Sequence, residues 1–144
     1  MKLVDTNVWL ALALSQHHQH ASAARWISGE TSAAELAFCR STQVALLRLL
    51  TTAAVLSPYG NPPLSNTQAW RVYDSLLADP RVSFLPEPHN LDPAWRTFAD
   101  RHTASPKLWM DAYLAAFAMA GQFQFVTFDV AFKQFSGVDV LVLS

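Results

Sequence analysis

The chain is short of the residues that most often announce chemistry. It has one cysteine, Cys39, among 144 residues. A single thiol closes no disulfide framework and builds no thiolate metal cluster, which fits a reducing cytoplasm. Charge is scarce as well: 15% of residues are charged, ten basic against eleven acidic, leaving a formal net charge of −1. That balance excludes a polyanion-binding surface spread over the whole molecule. Any attraction for nucleic acid must come from a few local Arg and Lys side chains, or from bound cations. No apolar run approaches the roughly 20 residues that a membrane span needs. The opening MKLVDTNVWLALALS has the outline of a secretory leader, with a lysine, an apolar run and an Ala-x-Ala triplet. However, the run is short, Asp5 and Asn7 interrupt its entry, and Asp5 cancels Lys2, so a cytoplasmic protein without a membrane partner is expected. The chain also lacks a phosphate-binding P-loop, a dinucleotide glycine pattern, a serine nucleophile elbow and a Cys/His zinc spacing.

What the chain has is apolar bulk. Apolar residues make up 51%, with five Trp and nine Phe, which excludes a disordered tail or a coiled coil and points to a core rich in aromatics. The length suits one domain, here residues 1–144, with no linker or repeat. Short apolar runs at 1–4, 36–39, 82–85, 123–127 and 138–143 are expected as strands. Helical signals fall between them. One helix follows Asp5 to about residue 14, and a second spans 17–27 with Ala21, Ala24 and Trp26 inward and Gly29 at its end. A third covers 42–50 with Val44, Leu47 and Leu50 repeating at helical spacing, and a fourth covers 67–77 after the Pro/Gly-rich loop 57–66. A fifth carries Trp95, Phe98 and Ala99. A sixth surrounds Asp111, with Ser105 as cap, Pro106 in its first turn and Gly121 at its end. Strands alternating with helices imply an α/β fold, with a mostly parallel central sheet of about five strands flanked by helices on both faces.

The most informative stretch is SPKLWMDAYLAAFAM, residues 105–119, where Asp111 interrupts an apolar helix. A buried carboxylate has to be paired, bound to a metal or neutralised. Ligands of open α/β sheets bind outside the carboxyl ends of the strands. Asp5 follows the run KLV and Asp129 follows QFVTF, so both sit at such ends, and Asp111 near its helix start can share that edge. Three converging carboxylates repel one another unless protons or a hard divalent cation neutralise them. Mg²⁺ or Mn²⁺ takes oxygen ligands and keeps several waters, and held by carboxylates it can activate a water and stabilise charge on a phosphodiester. The bland alternative is that each aspartate merely caps a helix or turn.

The flanking residues decide between these. VDTNVWLAL, HxxHxxAxxW (His17, His20, Ala23, Trp26), TQVALLRLLT, WMDAYLAAFA and FVTFD occur in that order over nearly the whole chain. This pattern resembles the PIN-domain family and, within it, the VapC toxins of toxin–antitoxin modules. The resemblance implies a Mg²⁺- or Mn²⁺-dependent endoribonuclease acting on tRNA, rRNA or mRNA, a cognate VapB-like antitoxin that silences it, and a homodimer. It implies that Asp5 and Asp111 are metal ligands, that Asp129 completes the site directly or through water, and that Asn7 and Thr127 orient ligands or water. The family usually places a glutamate on the helix after the second strand. This chain has Gln43 there, in CRSTQVALLRLL, so the site has one negative charge fewer and weaker metal affinity is expected. A catalytically impaired PIN-like module that binds RNA or a partner is the alternative.

Other features are weaker. Arg40, Arg48, Lys107 and Lys133 flank the acidic segments, with Arg40 and Lys107 the better candidates for phosphate contacts. HHQH at 17–20 has no third ligand nearby and is expected in packing or subunit contact rather than zinc binding. Tryptophans at helical spacing are expected in the core rather than stacked on RNA bases. A receiver-like phosphoacceptor is a disfavoured rival, because Asp5 has no adjacent acid and Lys133 is poorly placed for the late lysine of such a site.

Overall fold

The computed structural model describes residues 1–144. Five short strands form one sheet: β1 (Lys2–Val4), β2 (Leu36–Phe38), β3 (Val82–Phe84), β4 (Gln124–Thr127) and β5 (Val140–Val142). Their order is β3-β2-β1-β4-β5 and every neighbouring pair is parallel. Parallel neighbours need crossover connections, and helices supply them. α1 (Thr6–Ala13) and α2 (His20–Ser28) link β1 to β2, and α3 (Arg40–Leu50), α4 (Ala53–Leu56) and α5 (Asn66–Leu77) link β2 to β3. α6 (Leu91–Ala99) and α7 (Leu108–Gly121) return the chain to β4, and a 3₁₀ turn at Val130–Gln134 precedes β5. The α/β class and the central parallel sheet are as the sequence predicts.

The period-two geometry of the strands divides the core into two layers. Val4, Leu36, Phe38 and Val126 face the helices α1 to α5, where Trp9 stacks on Phe38 with ring centroids 4.0 Å apart. Leu3 and Phe125 face the opposite layer, built from α6, α7 and the 3₁₀ turn, and Cys39 just past β2 joins them. Because both faces are covered, these strands appear in the sequence as continuous apolar runs instead of alternating ones. α1 is buried at Thr6, Val8, Trp9, Leu10 and Ala11, nearly all round, so it lies under the other helices. α7 buries Ala112, Ala115, Ala116 and Ala118 beside Leu114 and Phe117.

Three local expectations are corrected. α2 begins at His20 and not at 17, because residues 14–20 form tight turns: the His17 amide donates to the Leu14 carbonyl and the His20 amide to that of His17, both at 2.9 Å. Its fully buried alanine is Ala23, not Ala21 or Ala24. In α3 the buried stripe runs through Thr42, Gln43, Leu46 and Leu50, so Val44 turns outward and is 47% exposed. α7 starts at Leu108, with Lys107 at its cap. Ser105 does not cap it by side chain. Its carbonyl accepts from the Leu108 amide at 3.0 Å, while its hydroxyl meets that of Thr103 at 3.2 Å.

Candidate active site

After β1 the chain winds outward through β2 to β3, then crosses back and lays β4 on the other side of β1. The crevice outside the carboxyl ends of β1 and β4 is therefore the topological switch point, where open α/β sheets bind ligands. Asp5 directly follows β1, Thr127 ends β4, Asp129 lies two residues beyond it, and Asp111 sits in the first turn of α7.

Asp5 is the most constrained of these groups. Its amide donates to the Val126 carbonyl at 2.9 Å, tying it to the β1–β4 seam. Its carboxylate caps α1: Oδ1 accepts from the Thr6 amide at 2.7 Å, and Oδ2 accepts from the Thr127 hydroxyl at 2.6 Å. The residue is 8% exposed. Burial pushes its pKa up from 3.8 to about 6 despite the two hydrogen bonds, which lower it, and the nearby charges of Asp111 and Asp129 add to the rise. Asp111 is half-buried and is likewise raised, by burial first and by Asp129 second. It makes no side-chain hydrogen bond or ion pair. Asp129 is exposed, and its Oδ1 accepts from the Ala131 amide at 2.9 Å, capping the 3₁₀ turn. The three carboxylates that the sequence singled out thus share one electrostatic neighbourhood.

Thr127 is the hub of this edge. Fully buried, its hydroxyl donates to Asp5 and accepts from the Asn7 amide Nδ2 at 3.1 Å and from the Asp129 backbone amide at 3.0 Å. One donor and two acceptor sites are thereby all used. Asn7 closes the ring by accepting from the Phe128 amide at 3.3 Å. The arrangement holds the Asp5 carboxylate and the start of the Asp129 loop in fixed register.

Gln43 lies in the first turn of α3 and is buried, and its Oε1 accepts from the Arg40 guanidinium. Arg40 in turn lies 4.8 Å from the centre of the Phe84 ring, at the end of β3. The amide oxygen standing in the usual glutamate position is thus already engaged, and the nearby cation is held in place. Lys107 is exposed at the start of α7. The histidines of HHQH pack away from this edge. His17 stacks between His18 and Tyr59 at 4.7 and 4.8 Å, and His20 Nδ1 lies 2.7 Å from the Ala11 carbonyl.

No three His, Cys, Asp or Glu side chains lie close enough together to hold a metal ion, so the structure does not bring Asp5, Asp111 and Asp129 together as a three-carboxylate ligand set. The donor set is instead all oxygen, on one edge, with Asp111 unpartnered. That chemistry fits a hard cation such as Mg²⁺, which binds through one or two carboxylates and keeps most of its waters, and does not fit a closed zinc cage.

A second feature of this region has no counterpart in the sequence expectations. A cleft of about 920 Å³ opens between α6 and the start of α7, lined by Trp95, Arg96, Arg101, Ser105 and Trp109 among others. Trp109, two residues before Asp111, is 60% exposed. The expectation that tryptophans at helical spacing lie in the core holds for Trp9 and fails for Trp109 and for Trp70, which is 49% exposed.

The PIN-domain model matches residues 2–138, the span that carries this sheet and its acidic edge: the chain belongs to the PIN-domain family. Among curated proteins it is 48% identical to Ribonuclease VapC41 of Mycobacterium tuberculosis, over 100% of this chain and 99% of that one. Among solved structures it resembles Mycobacterium tuberculosis VapC20, described as a sarcin–ricin loop cleaving toxin, with a TM-score of 0.68 at 18% identity over the full length of both chains. It also resembles VapBC2 from Rickettsia felis bound to a DNA fragment from their promoter, with a TM-score of 0.66 at 12% identity, covering 99% of this chain and 98% of that one.

Proposed function

We propose that the chain is a VapC-type toxin: an endoribonuclease that hydrolyses RNA phosphodiesters with Mg²⁺ or Mn²⁺ and is silenced by a VapB-like antitoxin. The observation that carries this reading is the electrostatic coupling of Asp5, Asp111 and Asp129 at the β1/β4 switch point, in a chain 48% identical to a ribonuclease. When bound, a divalent cation supplies charge neutralisation among the carboxylates and Lewis-acid polarisation of the scissile phosphate. Asp5 and Asp111 hold it, Asp5 in an orientation set by the Thr6 amide and the Thr127 hydroxyl. Asn7 and Thr127 keep that orientation fixed. Asp129, exposed and with Oδ2 free of its capping bond, accepts the proton of the attacking water. Arg40 and Lys107 are the side chains assigned to RNA phosphate contacts. Val44 and Trp70, each about half exposed beside a groove between α3 and α5, give the homodimer or the antitoxin an apolar surface to cover.

A second reading follows from Gln43. With an amide in the usual glutamate position and its oxygen taken by Arg40, the domain would bind RNA or a partner without cutting. One experiment separates the two: incubation of a tRNA and rRNA pool with Mg²⁺ or Mn²⁺ and with EDTA, using wild type and Asp111→Asn. The nuclease reading expects cation-dependent cleavage that the variant loses by a factor of a hundred or more. A folded wild type that binds RNA and leaves it intact at every cation concentration would move the function to the binding module.

A further inference from the structure

The cleft between α6 and the start of α7 lies outside the carboxylate cluster: none of Asp5, Asp111 and Asp129 lines it, and Trp109, which does, precedes Asp111 by two residues on α7. Trp95, which lines the cleft, meets Tyr113 edge to face at 5.3 Å, and its indole N–H donates to the Trp109 carbonyl at 3.0 Å, locking the first turn of α7 onto α6. Trp109 itself points its ring outward. It is the most exposed tryptophan of the chain and has no aromatic partner. The rim carries two guanidiniums, Arg96 and Arg101, and neither forms an ion pair. Arg101 donates only to the amide oxygen of Gln134, at 3.1 Å, and that residue ends the turn that follows Asp129. Two carboxylates, Asp92 and Asp100, share the wall, so the cleft is not a general phosphate trough.

A large exposed ring, flanked by unpaired guanidiniums and by polar acceptors and two positions from a site carboxylate, matches the chemistry of one unstacked nucleotide. The base stacks on the indole, the adjoining phosphate meets the guanidinium, and the carboxylates accept from exocyclic amino groups. A duplex cannot use such a site, because its bases are already stacked. We propose that this cleft is a subsite for an unpaired nucleotide of the bound RNA, with Trp109 as its stacking platform and Arg96 and Arg101 as its phosphate contacts. The proposal rests on the RNA-directed reading above and narrows its substrate to single-stranded or looped segments. It also gives a role to a tryptophan that is 60% exposed in the first turn of α7.

The test uses equilibrium binding of a fluorescently labelled single-stranded RNA, and of the same RNA annealed to its complement, in EDTA so that no cutting occurs. Trp109→Leu should weaken binding of the single strand roughly tenfold, the size of losing one stacking platform, and leave duplex binding unchanged. Trp109→Phe should retain most of the affinity. Arg96→Gln with Arg101→Gln should weaken the single strand and reduce the salt dependence of its binding. Circular dichroism and urea midpoints establish that each variant is folded. Single-strand affinity unchanged in Trp109→Leu, or lost equally for strand and duplex, overturns the subsite and leaves the cleft to a protein segment. Because the assay reads binding alone, the proposal and the nuclease reading fail separately. A wild type that shows the strand preference but never cleaves would retire only the nuclease reading.

Discussion

Burial makes the ionised Asp5 carboxylate costly in the folded protein, so at neutral pH, where it is mostly ionised, it lowers stability. Its pKa is about 6 in the fold and 3.8 in an ordinary setting, so between those values the folded state binds more protons than the unfolded one. Stability of the metal-free protein therefore falls as pH rises from about 4 to above 6, by an amount on the order of 3 kcal/mol. Asp5→Asn keeps an acceptor for the Thr6 amide and removes the charge. Urea unfolding at pH 8 in EDTA should show this variant within about 1 kcal/mol of wild type, relief of the buried charge being offset by the one hydrogen bond an amide cannot keep, with the pH slope reduced to what the raised Asp111 carboxyl contributes. The same substitution should abolish cleavage. A variant whose stability declined as steeply as wild type across that pH window would show that Asp5 does not set the slope. Thr127 makes the complementary case. Thr127→Val keeps the shape but leaves Asp5 Oδ2, Asn7 Nδ2 and the Asp129 amide without their buried partner, and should cost about 2–4 kcal/mol. Thr127→Ser restores the hydroxyl and should recover most of that loss. If valine proved as stable as threonine, the hub would be ornamental and water would be serving those groups.

Among the elements, the strands were the more legible in the sequence. β1 and β4 stand out because each is an apolar run cut off by an aspartate, a pattern that a strand buried on both faces produces directly. The helix faces were less legible. Val44 has the right spacing to belong to the core, but the buried stripe of α3 is set by how that helix leans on α1 and α5, and this tertiary choice turns Val44 outward. The start of α7 was placed too early because Ser105 and Pro106 are good cap and first-turn residues in isolation. In the fold they form the turn ahead of the helix and one wall of the cleft. The end of α7 was better marked. Gly121 is its last residue, and a Cβ there would fall 2.0–2.6 Å from the ring of Phe123. Gly121→Ala should push that ring off its packing against Phe117 and cost about 1–3 kcal/mol by urea unfolding. The next residue, Gln122, has φ of 56°, a left-handed conformation that a side chain opposes. Gln122→Gly should accordingly stabilise the protein by about 1 kcal/mol. If both substitutions were silent, the helix end would be frayed in solution.

For the molecule as a whole, the site exists only because the sheet closes. Asp5 and Thr127 are 122 residues apart in the chain and 2.6 Å apart in the fold. Asp5 and Asp129 could be placed from their strand ends, and Asp111 from the cost of an acid in an apolar helix. The role of Thr127 could not be reached by any spacing argument and came only with the family resemblance, because a buried threonine at the end of a strand is ordinary in itself. The exposed ring of Trp109 was hidden for the opposite reason, since apolar residues around it suggested core. If the carboxylates hold a cation as proposed, this long-range assembly makes cation binding and global stability one equilibrium. A cation that binds the folded carboxylates and not the unfolded chain adds about 2.7 kcal/mol of stability at a hundred times its dissociation constant, on the order of 10 °C in melting temperature for a domain of this size. Titration of wild type with Mn²⁺ at pH 8 should show that rise, and Asp111→Asn should show little of it. At pH 5 the cation must first displace the Asp5 proton, so the midpoint should move to higher concentration. Gln43→Glu should move it the other way, several-fold lower at pH 8, by returning a negative charge to the edge. Arg40 sits on that residue's oxygen and will offset part of the gain, so adding Arg40→Gln should lower the midpoint further. If Gln43→Glu changed nothing even without Arg40, position 43 would lie outside the reach of the cation, and the missing glutamate would not explain any weakness of the site.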